Sequence, residues 1–212
     1  MADQRRLPVY LLLDCSGSMA GERIEAVRNG VKLLLADLKS DPRALESAYL
    51  SVITFDSNAQ QICPLTELLM FNEPPLNAGG STSMGAALEL LQQCLSSEIR
   101  KPSGTQRGDY KPLVFIFTDG QPTDEWQAPA DRIKNSRPAN IIACAADASE
   151  VGMLKHVTDT VVVLRDLTPE SLKAFLKWVS SSIKMTSQSI HGSADGSAIT
   201  LPPPPPQIQI IP

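Results

Sequence analysis

The sequence predicts an α/β domain: a mostly parallel sheet of six strands with one antiparallel edge strand, and helices packed on both faces. Three observations carry that expectation. Short apolar, β-branched or aromatic runs alternate along the chain with amphipathic stretches of helical period. Two of those runs, Leu7–Leu13 and Pro112–Thr118, are apolar almost throughout, as a strand covered on both faces requires. Each of the two ends at an aspartate followed by small polar residues, Asp14 and Asp119.

The elements follow in order. Leu7–Leu13 is a strand that Asp14 ends. From Glu22 to Lys39, Ile24, Val27, Val31, Leu34, Leu35 and Leu38 recur at three- and four-residue spacing, the buried stripe of a helix. Ala48–Phe55 and Gln60–Leu65 are the second and third strands. The short gap between them, with Ser57 and Asn58 as turn formers, makes them an antiparallel hairpin at a sheet edge. Glu73–Ser83 is rich in Pro, Gly, Ser and Asn and reads as a loop that opens a helix over Met84–Leu95, and Ser96–Lys111 is a polar surface connection. Pro112–Thr118 is the strongest strand signal of the chain. A helix over Ala128–Asn135, a strand over Asn140–Ala145, a short helix over Ser149–His156 and a strand over Thr160–Leu164 continue the alternation. The last helix runs from Pro169 to Ile183, with Thr168 as its N-cap and Pro169 at its first position. Residues 1–184 are read as the domain and 185–212 as a C-terminal extension. In that extension Pro202–Pro206 adopts polyproline II, and Gln207–Ile211 alternates as a strand able to join a sheet edge. Docking a partner, packing on its own domain and disorder all remain open for it.

Composition narrows the function. With 212 residues, 42% hydrophobic and 20% charged, the chain can bury a full core and resembles neither a disordered nor a membrane protein. No apolar stretch approaches the roughly 18 residues of a membrane span. Leu7–Leu13 is interrupted by Pro8 and stopped by Asp14, so it reads as a strand and not as a signal peptide. A net charge of -4 lacks the basic field of a nucleic-acid binder. Cys15, Cys63, Cys94 and Cys144 lie far apart without a CxxC pair. Reduced thiols in a cytoplasmic protein are therefore expected, in place of disulfides or a zinc site. His156 and His191 pair with no nucleophile and are assigned to the solvent side.

In an open parallel sheet, ligands bind beyond the carboxyl ends of the strands, where the strand order reverses. Three loops supply polar groups there: Asp14-Cys15-Ser16-Gly17-Ser18, Gly79-Gly80-Ser81-Thr82-Ser83, and Thr118-Asp119-Gly120. Two carboxylates with several hydroxyls form an all-oxygen set, suited to a hard cation such as Mg2+ or Mn2+. Because hydroxyls are neutral, such an ion keeps much of its charge and can take one more anionic oxygen from outside. Gly17 would let the first loop wrap the ion, and Gly120 would permit a sharp exit from the strand. Residue chemistry leaves Ser81, Thr82 and Ser83 equally eligible in the second loop. Without a metal, Asp14 and Asp119 would be turn formers and the hydroxyls helix caps. Asp124 is expected to cap the helix that Glu125 and Trp126 begin.

D14-C-S-G-S18, GGST82SMGAAL and FIFTD119GQPTD together resemble the metal-ion-dependent adhesion site (MIDAS) of von Willebrand factor A domains, over roughly residues 7 to 183. The opening PVYLLLDCSGSM and the polyproline tail are most similar to the bacterial TerY/YegL-like group associated with tellurium resistance. The resemblance implies a Rossmann-like, doubly wound fold in which Ser16, Ser18 and Thr82 ligate the metal through hydroxyls. Asp14 and Asp119 would bind it directly or through water. The metal would be Mg2+, with Mn2+ or Ca2+ as substitutes, and an Asp or Glu of a protein partner would complete it. Such partners would be tellurium-resistance operon proteins or an associated kinase or phosphatase, and no catalysis is implied. A rival is a Mg2+-dependent phosphatase or phosphotransferase of haloacid-dehalogenase-like type. That chemistry needs a second carboxylate two residues after the first, where Ser16 stands, and the P-loop and GxSxG patterns are absent.

Overall fold

The chain winds one seven-stranded sheet in the order β3-β2-β1-β4-β5-β6-β7. Its strands are β1 (Leu7–Asp14), β2 (Ala48–Phe55), β3 (Ala59–Glu67), β4 (Leu113–Thr118), β5 (Asn140–Ala145), β6 (Thr160–Leu164) and β7 (Ile208–Ile211). The helices are α1 (Glu22–Lys39), α2 (Pro42–Ser47), α3 (Met84–Glu98), α4 (Gln127–Ser136), α5 (Val151–Leu154) and α6 (Pro169–Ile190). The structure is a computed structural model that describes residues 5–104, 107–190, 199 and 201–211. From β2 to β6 all neighbours are parallel, while β3 pairs antiparallel with β2 and β7 antiparallel with β6.

Alternation along the central strands divides the core in two. Leu7, Val9, Leu11 and Leu13 of β1 and Leu113, Phe115 and Phe117 of β4 face α1 and α6, while Tyr10, Leu12, Val114 and Ile116 face α3 and α4. Every residue of these two strands is buried, the reason both runs are apolar without a break. β3 is only half covered and holds Pro64, as an edge strand tolerates.

The strand order also explains where a site can form. β1 and β4 are neighbours, but the chain leaves β1 toward β2 through α1 and α2 and leaves β4 toward β5 through α4. Right-handed crossovers in opposite directions put α1 and α4 on opposite faces and open a crevice between the carboxyl ends of β1 and β4.

Four features depart from the sequence expectation. The sheet has seven strands and two antiparallel edges, because Ile208 to Ile211 lie beside Leu164 to Val161. Ile208 is buried in the core of the domain, so this part of the extension packs on its own sheet. α2 was not expected; Asp41 caps it by accepting from the amides of Arg43 and Ala44, with Pro42 at its start. α6 runs on to Ile190 although its sequence turns serine-rich. The Ser182 hydroxyl donates back to the Trp178 carbonyl and that of Ser187 meets Ser47, so buried serines are satisfied inside the helix packing. The short helix expected over Ser149–His156 begins as a 3-10 turn, Ala148–Glu150, closed by a capping box between Asp147 and Glu150. Among the described residues no helix is long and apolar enough to cross a membrane.

Candidate functional site

The first loop leaves β1 at a fully buried Asp14. One carboxylate oxygen accepts from the Ser16 amide at 2.8 Å, and the other accepts from the Thr118 hydroxyl at 2.7 Å. Burial pushes the Asp14 carboxyl above its ordinary range. The hydrogen bonds from Ser16 and Thr118 counter part of that rise, and the nearby negative charge of Asp119 adds to it. Such a carboxylate is a strong acceptor for a compensating cation.

A short chain of oxygens then crosses from the first loop to the third. Ser16 Oγ and Ser18 Oγ lie 2.9 Å apart, and Ser18 Oγ donates to Asp119 Oδ1 at 2.6 Å. With its single proton committed to Asp119, Ser18 accepts from Ser16. The Asp119 carboxylate is fully covered, and its second oxygen receives the Arg23 guanidinium at 3.0 Å. Arg23, in the first turn of α1, also donates to the Ser18 carbonyl at 3.0 Å. It therefore clamps both sides of the Ser18–Asp119 contact.

The second loop is sewn to the first by two backbone bonds, from Gly17 N to Gly80 O at 3.0 Å and from Gly79 N to Cys15 O at 2.8 Å. Gly80 sits at φ 72, and a Cβ there would fall 2.3 Å from Ser57 Oγ. The turn therefore requires glycine for both backbone and space. Gly17 is needed for close approach, since its Cβ would lie 3.2 Å from the Gly80 carbonyl, and neither it nor Gly120 has positive φ. A Cβ at Gly120 would meet only Thr82 Oγ1, at an ordinary 3.7 Å, so the sharp exit expected there is made without a left-handed residue. That same distance places the Thr82 hydroxyl beside the Asp119-Gly120 turn. Thr82 is buried, and its backbone is held by Thr123 through Thr123 N to Thr82 O at 2.9 Å. Of its neighbours, Ser81 directs its hydroxyl to Ser57 instead.

All five residues expected from the sequence thus stand around the β1–β4 crevice. Asp14 and Ser16 are joined directly, Ser16, Ser18 and Asp119 through side chains, and Thr82 through its approach to Gly120. Among the described residues no group of three or more His, Cys, Asp or Glu side chains could hold a metal, so a metal here would depend on the two carboxylates and the hydroxyls together. This donor set fits a hard divalent cation and offers no soft ligand. Cys15, within the loop, is buried, and burial followed by the charges of Asp14 and Asp56 pushes its thiol up to about 12.

Sequence reasoning missed Arg23 and Thr123, and it placed Thr118 in the third loop without its contact to Asp14. Arg23 directly precedes the core residue Ile24, where a charged side chain looks like ordinary solvent cover. Thr118 ends the β4 run, and only the pairing of β4 with β1 brings it to Asp14. Asp124 caps a different helix from the one expected: its carboxylate accepts from Gly85 N at 3.0 Å and Ala86 N at 2.9 Å, at the start of α3. His156 is exposed as expected, edge-on to Trp126, and His191 lies outside the described residues.

Comparison with known proteins agrees with this fold. Among solved structures, a von Willebrand factor type A protein from Catenulispora acidiphila matches 85% of the chain at 20% identity with a TM-score of 0.61, and the chain covers 43% of it. The PilB minor pilin of Streptococcus sanguinis matches 91% of the chain at 13% identity with a TM-score of 0.65, over 64% of its own length. Proximal thread matrix protein 1 of the mussel byssus, in a form with a zinc-occupied MIDAS motif, matches 84% at 17% identity with a TM-score of 0.58, over 48% of its length. The chain spans less than two thirds of each of these proteins, and at such identities the likeness is one of fold. No curated protein matches it. The von Willebrand factor type A family model matches residues 9–177, the span from β1 into α6 that holds the whole crevice. The chain belongs to the von Willebrand factor type A domain family.

Proposed function

We propose that this domain is a metal-dependent protein-interaction module, with Asp14, Ser16, Ser18, Thr82 and Asp119 holding a divalent cation that takes an Asp or Glu carboxylate from a partner protein. The observation that carries the reading is the linked oxygen set at the crevice, in which the Ser16 and Ser18 hydroxyls lead to a covered Asp119 beside a buried Asp14. The cation supplies an electrophilic point for an external carboxylate. The protein's own part is to fix the loops so that neutral hydroxyls, and not further acids, face it. The zinc in the mussel protein's MIDAS and the pilus role of the streptococcal relative support the same kind of use.

Within this reading the resident ion is Mg2+, with Mn2+ and Ca2+ as substitutes. The domain acts as a non-catalytic adaptor in a bacterial tellurium-resistance or stress-response system. Operon proteins or an associated kinase or phosphatase are its partners. Four unpaired cysteines suit the reducing cytoplasm.

Calorimetry with MgCl2 on the wild type and on Asp14→Asn tests the site: uptake by the wild type and its loss in the variant is the expected result. Affinity capture with and without chelator then tests the use of the metal. Wild-type protein without affinity for any of the three ions would sink the reading, and phosphate-ester turnover that depends on Asp14 would replace it with the phosphatase.

A further inference from the structure

Asp119 already has a cation of its own. Its carboxylate is fully covered, one oxygen is taken by Ser18 Oγ at 2.6 Å, and the other by Arg23 Nη1 at 3.0 Å. The Arg23 side chain is 40% exposed, so this charge stands at the mouth of the crevice. Glu150, near enough to Asp119 for their charges to repel, is buried and accepts from the Ala146 and Asp147 amides, and the other acids nearby likewise have partners of a different kind. Asp56 accepts from the Asn58 amide at 3.0 Å, and Asp124 takes the first amides of α3. Neither offers Arg23 an alternative ion pair among the described residues.

Charge counting at the crevice gives Arg23 a role. Within the linked set itself, Asp14 and Asp119 carry two negative charges and Arg23 one positive charge, a net of one negative. A divalent cation turns that into one positive, which is the charge that a single external carboxylate neutralises. Without Arg23, the two aspartates alone would balance the ion and leave little demand for an outside anion. Desolvation at the crevice magnifies such differences, because like charges interact more strongly there than in water.

We propose that Arg23 is the residue that makes metal binding and anion capture depend on each other: it weakens the grip of the site on the ion and leaves the bound ion one charge short. The proposal rests on the metal-site reading above and concerns a residue outside the five ligands. The hydrogen bond to the Ser18 carbonyl keeps the guanidinium in place while the carboxylate face changes. Charge, and not the forked geometry of the guanidinium, is the operative property, so lysine should replace arginine and glutamine should not.

The experiment is calorimetric titration of MgCl2 into the full chain, with and without sodium acetate as the carboxylate probe, for wild type, Arg23→Gln and Arg23→Lys. The expected result is Mg2+ binding about tenfold tighter in Arg23→Gln than in wild type. Acetate should tighten Mg2+ binding in the wild type and in Arg23→Lys, and do so far less in Arg23→Gln. Equal or weaker Mg2+ binding by Arg23→Gln overturns the proposal, as does Arg23→Lys behaving like Arg23→Gln. Binding by Arg23→Gln alone, with the wild type silent, supports the opposition between Arg23 and the ion while removing Mg2+ as the resting occupant. Silence from all three proteins overturns both this role and the metal site. Thermal melts in chelator confirm that each variant is folded.

Discussion

The indole Nε1–H of Trp178 donates to the carbonyl of Pro202 across 3.0 Å, tying the polyproline segment to α6. Trp178 is buried, Pro202, Pro203 and Pro205 line a cleft beside it with Ala174, Lys177 and Ser181, and the chain then enters the sheet as β7. The extension is held by a hydrogen bond to the helix, by the pairing of β7 with β6 and by the burial of Ile208.

Weakening either the hydrogen bond or the burial should cost stability. Ile208→Ala removes a buried aliphatic side chain and should cost about 2 kcal/mol, the low end for such truncations because the strand is short and at an edge. Trp178→Phe leaves the Pro202 carbonyl without its donor and should cost about 1–2 kcal/mol. Urea denaturation measures both. If both variants unfold at the wild-type midpoint, the extension is not part of the domain's stability.

Gly80→Ala should disturb the site through its backbone. A residue with Cβ at φ 72 is strained, and the added atom would lie 2.3 Å from Ser57 Oγ and 3.1 Å from Ser57 N. A loss of about 1–3 kcal/mol is expected. Mg2+ uptake should weaken as well, since the bond from Gly17 to the Gly80 carbonyl joins the first loop to the second. Equilibrium unfolding and calorimetry on the same sample separate the two effects.

Asp14→Asn should stabilise the metal-free domain. Burial holds the Asp14 carboxyl above its ordinary value, so the folded state binds more protons than the unfolded state between the two values. This group therefore lowers stability as pH rises through that window, and at neutral pH the ionised carboxylate works against folding. The amide has no charge to desolvate; its oxygen can still accept from the Ser16 amide, while its NH2 donates to the Thr118 hydroxyl, which turns its own proton to the Gly120 carbonyl. Melting in chelator at pH 7 should rise for Asp14→Asn. Mg2+ should raise the wild type alone, by about 2.7 kcal/mol at a hundredfold excess over Kd.

Asp37 gives the opposite sign. Partial burial opposes its ionisation, but the hydrogen bonds from Lys184, at 2.6 Å, and from Ser180, with the charges of Lys184 and Lys177, outweigh it and hold the carboxyl below its usual range. The stability it contributes is complete above the unfolded value of about 3.9 and is lost as pH falls through the folded value. With its side chain 39% exposed, the link between α1 and α6 is worth at most about 1 kcal/mol. Asp37→Asn should melt slightly below wild type at pH 7 and coincide with it in acid, as scanning calorimetry across pH would show.

What the sequence determined by itself was the alternation and the site loops. The helical period of α1, the unbroken apolar runs of β1 and β4, and the aspartates that stop β1 and β4 are local signals, because burial on one face or two and turn chemistry each write a recognisable pattern into adjacent residues. Asp14, Ser16, Ser18, Thr82 and Asp119 could be nominated from such patterns together with the family resemblance. Tertiary structure alone decided the partners. Thr118 reaches Asp14 only because β4 lies beside β1, Asp124 caps α3 from a different loop, and Arg23 reaches Asp119 across 96 residues of chain. The extension joined β6 for the same reason: an alternating segment states that it will pair, but the open edge it pairs with is created by the rest of the fold. Pairings between distant segments depend on which surfaces the packed sheet leaves uncovered, and no local pattern encodes that.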